Sequence, residues 1–181
     1  GDGNGILGFE VSCEITGEAR HRYQHATSGP DGVFQIFGLR QGSHVRLYGG
    51  RHRGSDVEDE LVSDILGPFT VGPEGLEDLT IIAFRPGTIS GTLLDDEKKP
   101  LSNVWVKAHY TDAPDFPYSG PDARTDEAGR FSVKHLATGH YSLEVYADGV
   151  NRVVDLPAIK IARSEHVKDL VITDPKPKRP R

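Results

Sequence analysis

Sulfur is scarce in this chain: its 181 residues hold one cysteine and no methionine. A lone Cys13 cannot close an internal disulfide, and it leaves no cysteine set for a structural zinc. It shares an alternating apolar face with Phe9, Val11 and Ile15, so it is expected to be a buried small hydrophobe rather than a reactive thiol. One cysteine fits a reducing compartment as well as the cysteine-poor exported proteins of bacteria. The lack of methionine, at position 1 included, is what a piece excised from a longer polypeptide would show. No apolar run reaches the length of about 18 residues that a membrane-spanning helix needs, and no signal-peptide pattern is visible. Positive charge is short as well, with 21 Lys and Arg against 27 Asp and Glu and a net charge of −6. That balance excludes a nucleic-acid-binding body and no nucleic-acid partner is expected.

What the chain does have is turns. Its 21 glycines and 12 prolines together predict an all-β fold, and an apolar fraction of 36% suffices for one core or two thin ones. The most organised stretch is residues 125–149. Asp126 to Gly129 forms a turn, Phe131 and Val133 alternate with polar neighbours, Leu136 closes the strand, and Tyr141, Leu143 and Val145 alternate in the returning strand. Residues 28–50 repeat this pattern. Strands are also predicted over 7–15, 21–27, 33–37, 45–48, 69–71, 76–84, 88–94, 104–110, 150–156, 158–162 and 167–173, with a long loop over 111–124. One segment reads differently. Ser55-Asp56-Val57-Glu58 has the form of a capping box, and Val57, Leu61, Val62 and Ile65 recur at helical spacing before Gly67-Pro68. A short helix is predicted there.

Setting Gly32 on Gly129, 97 positions apart, places Phe34 on Phe131, Leu39 on Leu136 and Gly42 on Gly139. One extra residue in the second stretch then brings residues 45–48 onto 143–146. Residues 69–71 match 159–161, 77–81 match 168–172, and 9–14 match 104–109. So many matches in one order indicate two tandem copies of a β module, each under about 100 residues. The first copy has no counterpart for the strand at 88–94 and reads as truncated at its start, and the predicted helix is an insertion in it.

The second copy resembles the carboxypeptidase regulatory-like domain, a transthyretin-like seven-stranded Greek-key sandwich. The residues that carry the resemblance are Gly87 to Leu93, Pro100 to Val106, Thr125-Asp126 with Gly129-Arg130-Phe131, Leu136 to Gly139, and Tyr141 to Val145 with Ala147-Asp148-Gly149. The first copy matches more weakly. The resemblance implies an all-β chain of two tandem Greek-key transthyretin-like (prealbumin-like) sandwiches, with one short helix inserted in the first. The expected domains are residues 6–85, residues 86–174 and a basic Pro-rich tail or linker at 175–181. It further implies a non-catalytic accessory or spacer module of a larger, secreted or cell-envelope protein of bacterial type. Its partners would be neighbouring domains of the same polypeptide.

The residues offer little chemistry. Neither His-x-x-Glu with a distant His nor His-Glu-x-x-His occurs, and no Gly-x-Ser-x-Gly elbow surrounds Ser55. His21 and His25 share a strand face but stand too far apart, at about 14 Å for four strand residues, to chelate one metal. The acidic groups Asp56-Glu58-Asp59-Glu60 and Asp95-Asp96-Glu97 read as solvated faces, with calcium as the alternative. The chain lacks the Tyr-Arg-Gly-Ser ending of transthyretin-like hydroxyisourate hydrolases. It also has leucines, Leu93 and Leu94, where a Cna-B-type isopeptide lysine would stand, with Glu144 near the position of the assisting acid. No catalytic residue, metal or cofactor is expected. The alternative function is binding of a carbohydrate or a protein. If Val104 and Val106 face inward, Trp105 alternates outward with Lys107 and His109, and Phe116 and Tyr118 occupy the long loop. Trp105, His109, Phe116 and Tyr118 are therefore the candidate ligand-binding residues.

Overall fold

A computed structural model describes residues 5–16, 22–50, 60–113, 120–147, 150–154 and 156–173. Fourteen strands and no helix form among the described residues. The chain divides into two compact units, Gly1–Arg85 and Pro86–Arg181.

Unit 1 contains β1 (Glu10–Thr16), β2 (Arg22–Thr27), β3 (His44–Gly50), β4 (Val62–Ser63), β5 (Leu66–Thr70) and β6 (Ala83–Phe84). They form one sheet in the order β2-β1-β3-β4-β6, and β5 pairs with β3 beside β4. Alternation in β1 and β3 turns Val11, Cys13, Ile15, Val45 and Leu47 to one face, where they form the core with Phe9 and Val71. Phe34, Ile36, Leu39, Leu76, Leu79 and Ile81 pack against that core but are only partly buried.

Two sequence expectations fail here. The expected helix is replaced in its second half by β4 and the start of β5, with Val62 pairing with Gly50 and Leu66 with Leu47. An open edge of β3 offers backbone partners, and this outweighs a helical spacing of only four apolar residues. The capping-box half, Ser55 to Glu58, lies outside the described residues. Residues 33–37 and most of 76–84 are predicted strands, yet only Ala83–Phe84 joins a ladder.

Unit 2 contains β7 (Gly87–Leu94), β8 (Trp105–Tyr110), β9 (Asp122–Arg124), β10 (Arg130–Leu136), β11 (Gly139–Ala147), β12 (Val150–Val153), β13 (Ile159–Ile161) and β14 (His166–Thr173). One sheet runs β10-β7-β14, the other β12-β11-β8-β9 with β13 also on β11. β7 is antiparallel to β10 and parallel to β14. The two sheets close on a shared core of Ile89, Leu93, Val106, Ala108, Phe131, Val133, Leu136, Tyr141, Leu143, Val145, Ile161 and Ile172. Burying one such aliphatic side chain contributes about 1.5–3 kcal/mol, so β7 alone supplies two large contributions through Ile89 and Leu93. Tyr141 lies against Tyr110 edge to face at 5.5 Å, and its hydroxyl donates to the Ala137 carbonyl at 3.1 Å. β9 forms within the stretch expected to be a loop, because Ala123 and Arg124 pair with Val106 and Trp105.

Candidate functional site

The register of β8 decides which side chains reach solvent. Trp105 lies opposite Tyr146, Lys107 opposite Glu144 and His109 opposite Ser142 in β11. The intervening Val106 and Ala108 are buried, so these six side chains form the outer face of the larger sheet of unit 2. On the other side of β8, Trp105 lies opposite Arg124 and Lys107 opposite Asp122. Beyond β11, Val153 lies opposite Glu144.

Trp105 and Tyr146 are exposed at 40% and 46%, an aromatic pair standing directly across the ladder. Such pairs have Cβ atoms about 4.5–5.5 Å apart. The Arg124 guanidinium lies 5.4 Å from the centre of the Trp105 ring, within cation–π range. The Arg124 Nε also donates to the Asn103 carbonyl at 3.4 Å, which holds the guanidinium over the ring. His109 and Glu144 join through Nε2 and Oε2 at 2.7 Å. The face is thus an aromatic step with a cation at one side and a hydrogen-bonded imidazole–carboxylate pair further along the strand.

Of the four candidate residues, Trp105 and His109 share this face. They are separated by four residues of strand, about 14 Å, so they do not touch the same small group. Phe116 and Tyr118 lie outside the described residues. Sequence reasoning missed Tyr146 and Arg124. Tyr146 was legible as the outward continuation of Ser142 and Glu144. Arg124 required knowledge that β9 pairs with β8.

The other polar groups hold turns and edges together. The Asp126 carboxylate accepts from the backbone N–H groups of Ala128 and Arg130 at 2.9 and 2.8 Å and from Arg130 Nε at 2.8 Å. In the acidic turn, Asp95 accepts from the Glu97 and Lys99 N–H groups, and Glu97 pairs with Lys99 at 2.7 Å. Asp112 binds His140 through both its ring and its backbone N–H. His25 Nδ1 lies 3.1 Å from Ser12 Oγ, whereas His21 lies outside the described residues. Among the described residues no three His, Cys, Asp or Glu gather as metal ligands. Glu144, near the position considered for an isopeptide acid, is on the solvent side of the sheet. Burial, followed by the nearby Glu14 charge, pushes the Cys13 thiol up to about 11. It stays protonated at neutral pH and is a poor nucleophile.

Residues 88–168 match the model of the carboxypeptidase regulatory-like domain. The match lies wholly within unit 2 and includes Trp105, Arg124, His109 and Glu144. No curated protein matches the chain. Among solved structures, GBS52, the minor pilin of Streptococcus agalactiae, is similar at 16% identity and a TM-score of 0.42, covering 98% of this chain and 88% of that one. The shaft pilin SpaA of Lactobacillus rhamnosus GG is similar at 11% identity and a TM-score of 0.35, covering 97% and 87%. The 3-chlorocatechol 1,2-dioxygenase of Rhodococcus opacus 1CP is similar at 14% identity and a TM-score of 0.34, covering 54% and 61%. With TM-scores this low, none of these likenesses bears on function. No helix among the described residues is long and apolar enough to cross a membrane.

Proposed function

We propose that the chain is a pair of transthyretin-like modules, the first lacking a strand, that serves as a non-catalytic structural or interaction element of a larger exported protein. Its partners in this reading are the neighbouring domains of that polypeptide, and its place is the cell envelope or the exterior. The observation that carries the reading is a hydrogen-bonded corner present in both units. In unit 2, Thr125 Oγ1 accepts from Val104 N at 2.9 Å, Thr125 N donates to Val104 O at 2.9 Å, and Asn103 N donates to Thr125 O at 3.0 Å. In unit 1, Ser28 Oγ accepts from Phe9 N at 2.9 Å, Ser28 N donates to Phe9 O at 3.0 Å, and Gly8 N donates to Ser28 O at 2.9 Å. Asn103 and Gly8 take the same left-handed φ, 64° and 72°. The strand orders agree too, β2-β1-β3-β4 with β5 on β3 against β9-β8-β11-β12 with β13 on β11. The family match to residues 88–168 supports the module type for unit 2, and the shared corner extends it to unit 1.

In this reading the ladders favour a different alignment for one stretch of the sequence match. Cys13 pairs with Leu47 as Ala108 pairs with Leu143, so Leu47 corresponds to Leu143, two residues away from the match made on sequence. That match followed apolar alternation, which a two-residue slip leaves unchanged.

A second reading is favoured by the exposed Trp105–Tyr146 step and the Arg124 cation over it: this face binds a sugar ring or a protein. Titrating oligosaccharides of several classes against the fluorescence of Trp105 separates the two. The structural reading predicts no saturable response. A saturable response that Tyr146→Ala or Arg124→Ala abolishes, with Trp105 kept as the reporter, would replace it with the binding reading.

A further inference from the structure

In unit 2 the smaller sheet is built around its middle strand, with β10 on one side of β7 and β14 on the other. Unit 1 has the two outer segments, residues 33–39 and 76–82, which pack Phe34, Ile36, Leu39, Leu76, Leu79 and Ile81 on its core. Among the described residues, none makes a backbone hydrogen bond to 34–39 or 76–82. Both segments nevertheless carry the kinks of strands that clasp a third. Gly38 and Asp78 take φ of 79° and 54°, as His135 and Asp169 take 63° and 60°. His135 and Asp169 lie where the ladders of β10 and β14 shift register against β7. The cost of the missing strand shows in burial: Phe131, Val133, Leu136 and Ile172 are all buried, whereas Phe34, Ile36, Leu39 and Ile81 are only partly so.

We propose that unit 1 is a strand-accepting site, completed by an extended segment of the β7 type that lies antiparallel to residues 33–39 and parallel to 76–82. The inference rests on the reading of the two units as copies of one module. Unpaired strand edges flanking an apolar floor are a template for strand addition. The chemistry of the occupant follows from β7. Ile89 and Leu93 point into the core with no exposure, and a Cβ on Gly91 would collide with the backbone of Leu170. The occupant therefore has large apolar residues four apart with a small residue midway between them, as in Ile89-Ser90-Gly91-Thr92-Leu93.

The geometry also sets its source. β7 leads through the turn at Asp95 and Lys99 to Pro100-Leu101, which crowd Gly129: a Cβ there would lie 3.1 Å from Pro100 Cβ and 3.2 Å from Leu101 N. Gly5-Ile6 crowd Gly32 in the same way, at 2.5 Å from Gly5 Cα and 2.9 Å from Ile6 N. The end of the accepted strand thus lies on the Gly5-Ile6 side, as the end of β7 lies on the Pro100-Leu101 side, which points to an occupant joined in cis on that side.

The test fuses the sequence of Gly87 to Asp95 ahead of Gly1 and follows backbone amide exchange together with labelling of Cys13. The fused chain is expected to protect amides in 34–39 and 76–82 by a factor of about ten or more over the unfused chain. A control fusion with the donor's isoleucine changed to asparagine and its second glycine to valine is expected not to. The free octapeptide of β7 should give weaker, concentration-dependent protection of the same amides. Protection in neither fusion nor peptide overturns the proposal, as does protection already present in the unfused chain, whether monomeric or through a concentration-dependent dimer of two copies. The same experiment reports the β1–β3 ladder. Loss of protection there would refute the module reading itself, whereas a protected ladder beside unprotected 34–39 and 76–82 would refute strand acceptance alone.

Discussion

Replacing Thr125 with valine removes one oxygen and keeps the side-chain shape. Thr125 is 5% exposed, and its Oγ1 is the acceptor for the Val104 N–H at 2.9 Å. Valine leaves that donor facing a methyl group. A stranded donor costs about 1–3 kcal/mol, and the partial burial of this corner sets the lower part of that range, about 1–2 kcal/mol. With a urea dependence of about 1–3 kcal/mol/M for a small domain, the unfolding midpoint should fall by roughly 0.5–1 M. The assay is built into the chain. Its one tryptophan, Trp105, lies in unit 2 and opposite Arg124 in the ladder, so its fluorescence follows the unit that carries the substitution. Thr125→Ser keeps the acceptor and should lose less than half as much. Ser28→Ala performs the corresponding cut in unit 1, where the hydroxyl accepts from Phe9 N and donates to the Ile6 carbonyl. It should leave the Trp105 transition in place and lower the stability reported by exposure of Cys13. A Thr125→Val midpoint indistinguishable from that of the native chain, or equal to that of Thr125→Ser, would refute the role given to this corner.

Three further outcomes are expected. Gly129→Ala should destabilise unit 2 by clearly more than Gly42→Ala destabilises unit 1. Both residues hold positive φ, which costs an alanine about 1–2 kcal/mol, but a Cβ on Gly129 also meets the Leu93 carbonyl at 2.6 Å while one on Gly42 meets nothing within 4 Å. Asp126 is held below its usual range first by the Arg130 N–H and then by its other bonds to Arg130 and Ala128. A depressed native value stabilises above the unfolded value of about 3.9 and is lost as pH falls through the native one, so Asp126→Asn should flatten the acid limb of a stability–pH profile. Cys13 should resist a thiol reagent at neutral pH until unit 1 unfolds. Because its native value is raised from 9.0 to about 11, its contribution is present below pH 9 and is lost as pH rises toward 11, which thiol labelling against pH will register.

Alternation and turn residues made most of the strands legible. Tyr141, Leu143 and Val145 facing one way and Ser142 and Glu144 the other is a local property of the chain, and the structure keeps it. The outward direction of Trp105 and His109 followed from the same rule, because Val106 and Ala108 between them had to face in. What misled was also local. The spacing of Val57, Leu61, Val62 and Ile65 suits a helix, but Val62 found a partner in Gly50, and such a partner is invisible from within the segment. Arg124 was placed over Trp105 by a ladder joining residues about 20 positions apart.

The sequence by itself determined the β class, the faces of the strands and the likeness between residues 28–50 and 125–149, since each depends on periods of two and on turn chemistry within a few residues. Only the tertiary structure decided which segments actually pair. Residues 33–39 and 130–136 share apolar residues at three matched positions, Phe34 with Phe131, Ile36 with Val133 and Leu39 with Leu136, yet the second is a strand and the first has no ladder, because a strand exists only where another backbone satisfies its N–H and C=O groups. β7 does this for β10, and among the described residues none does it for 34–39.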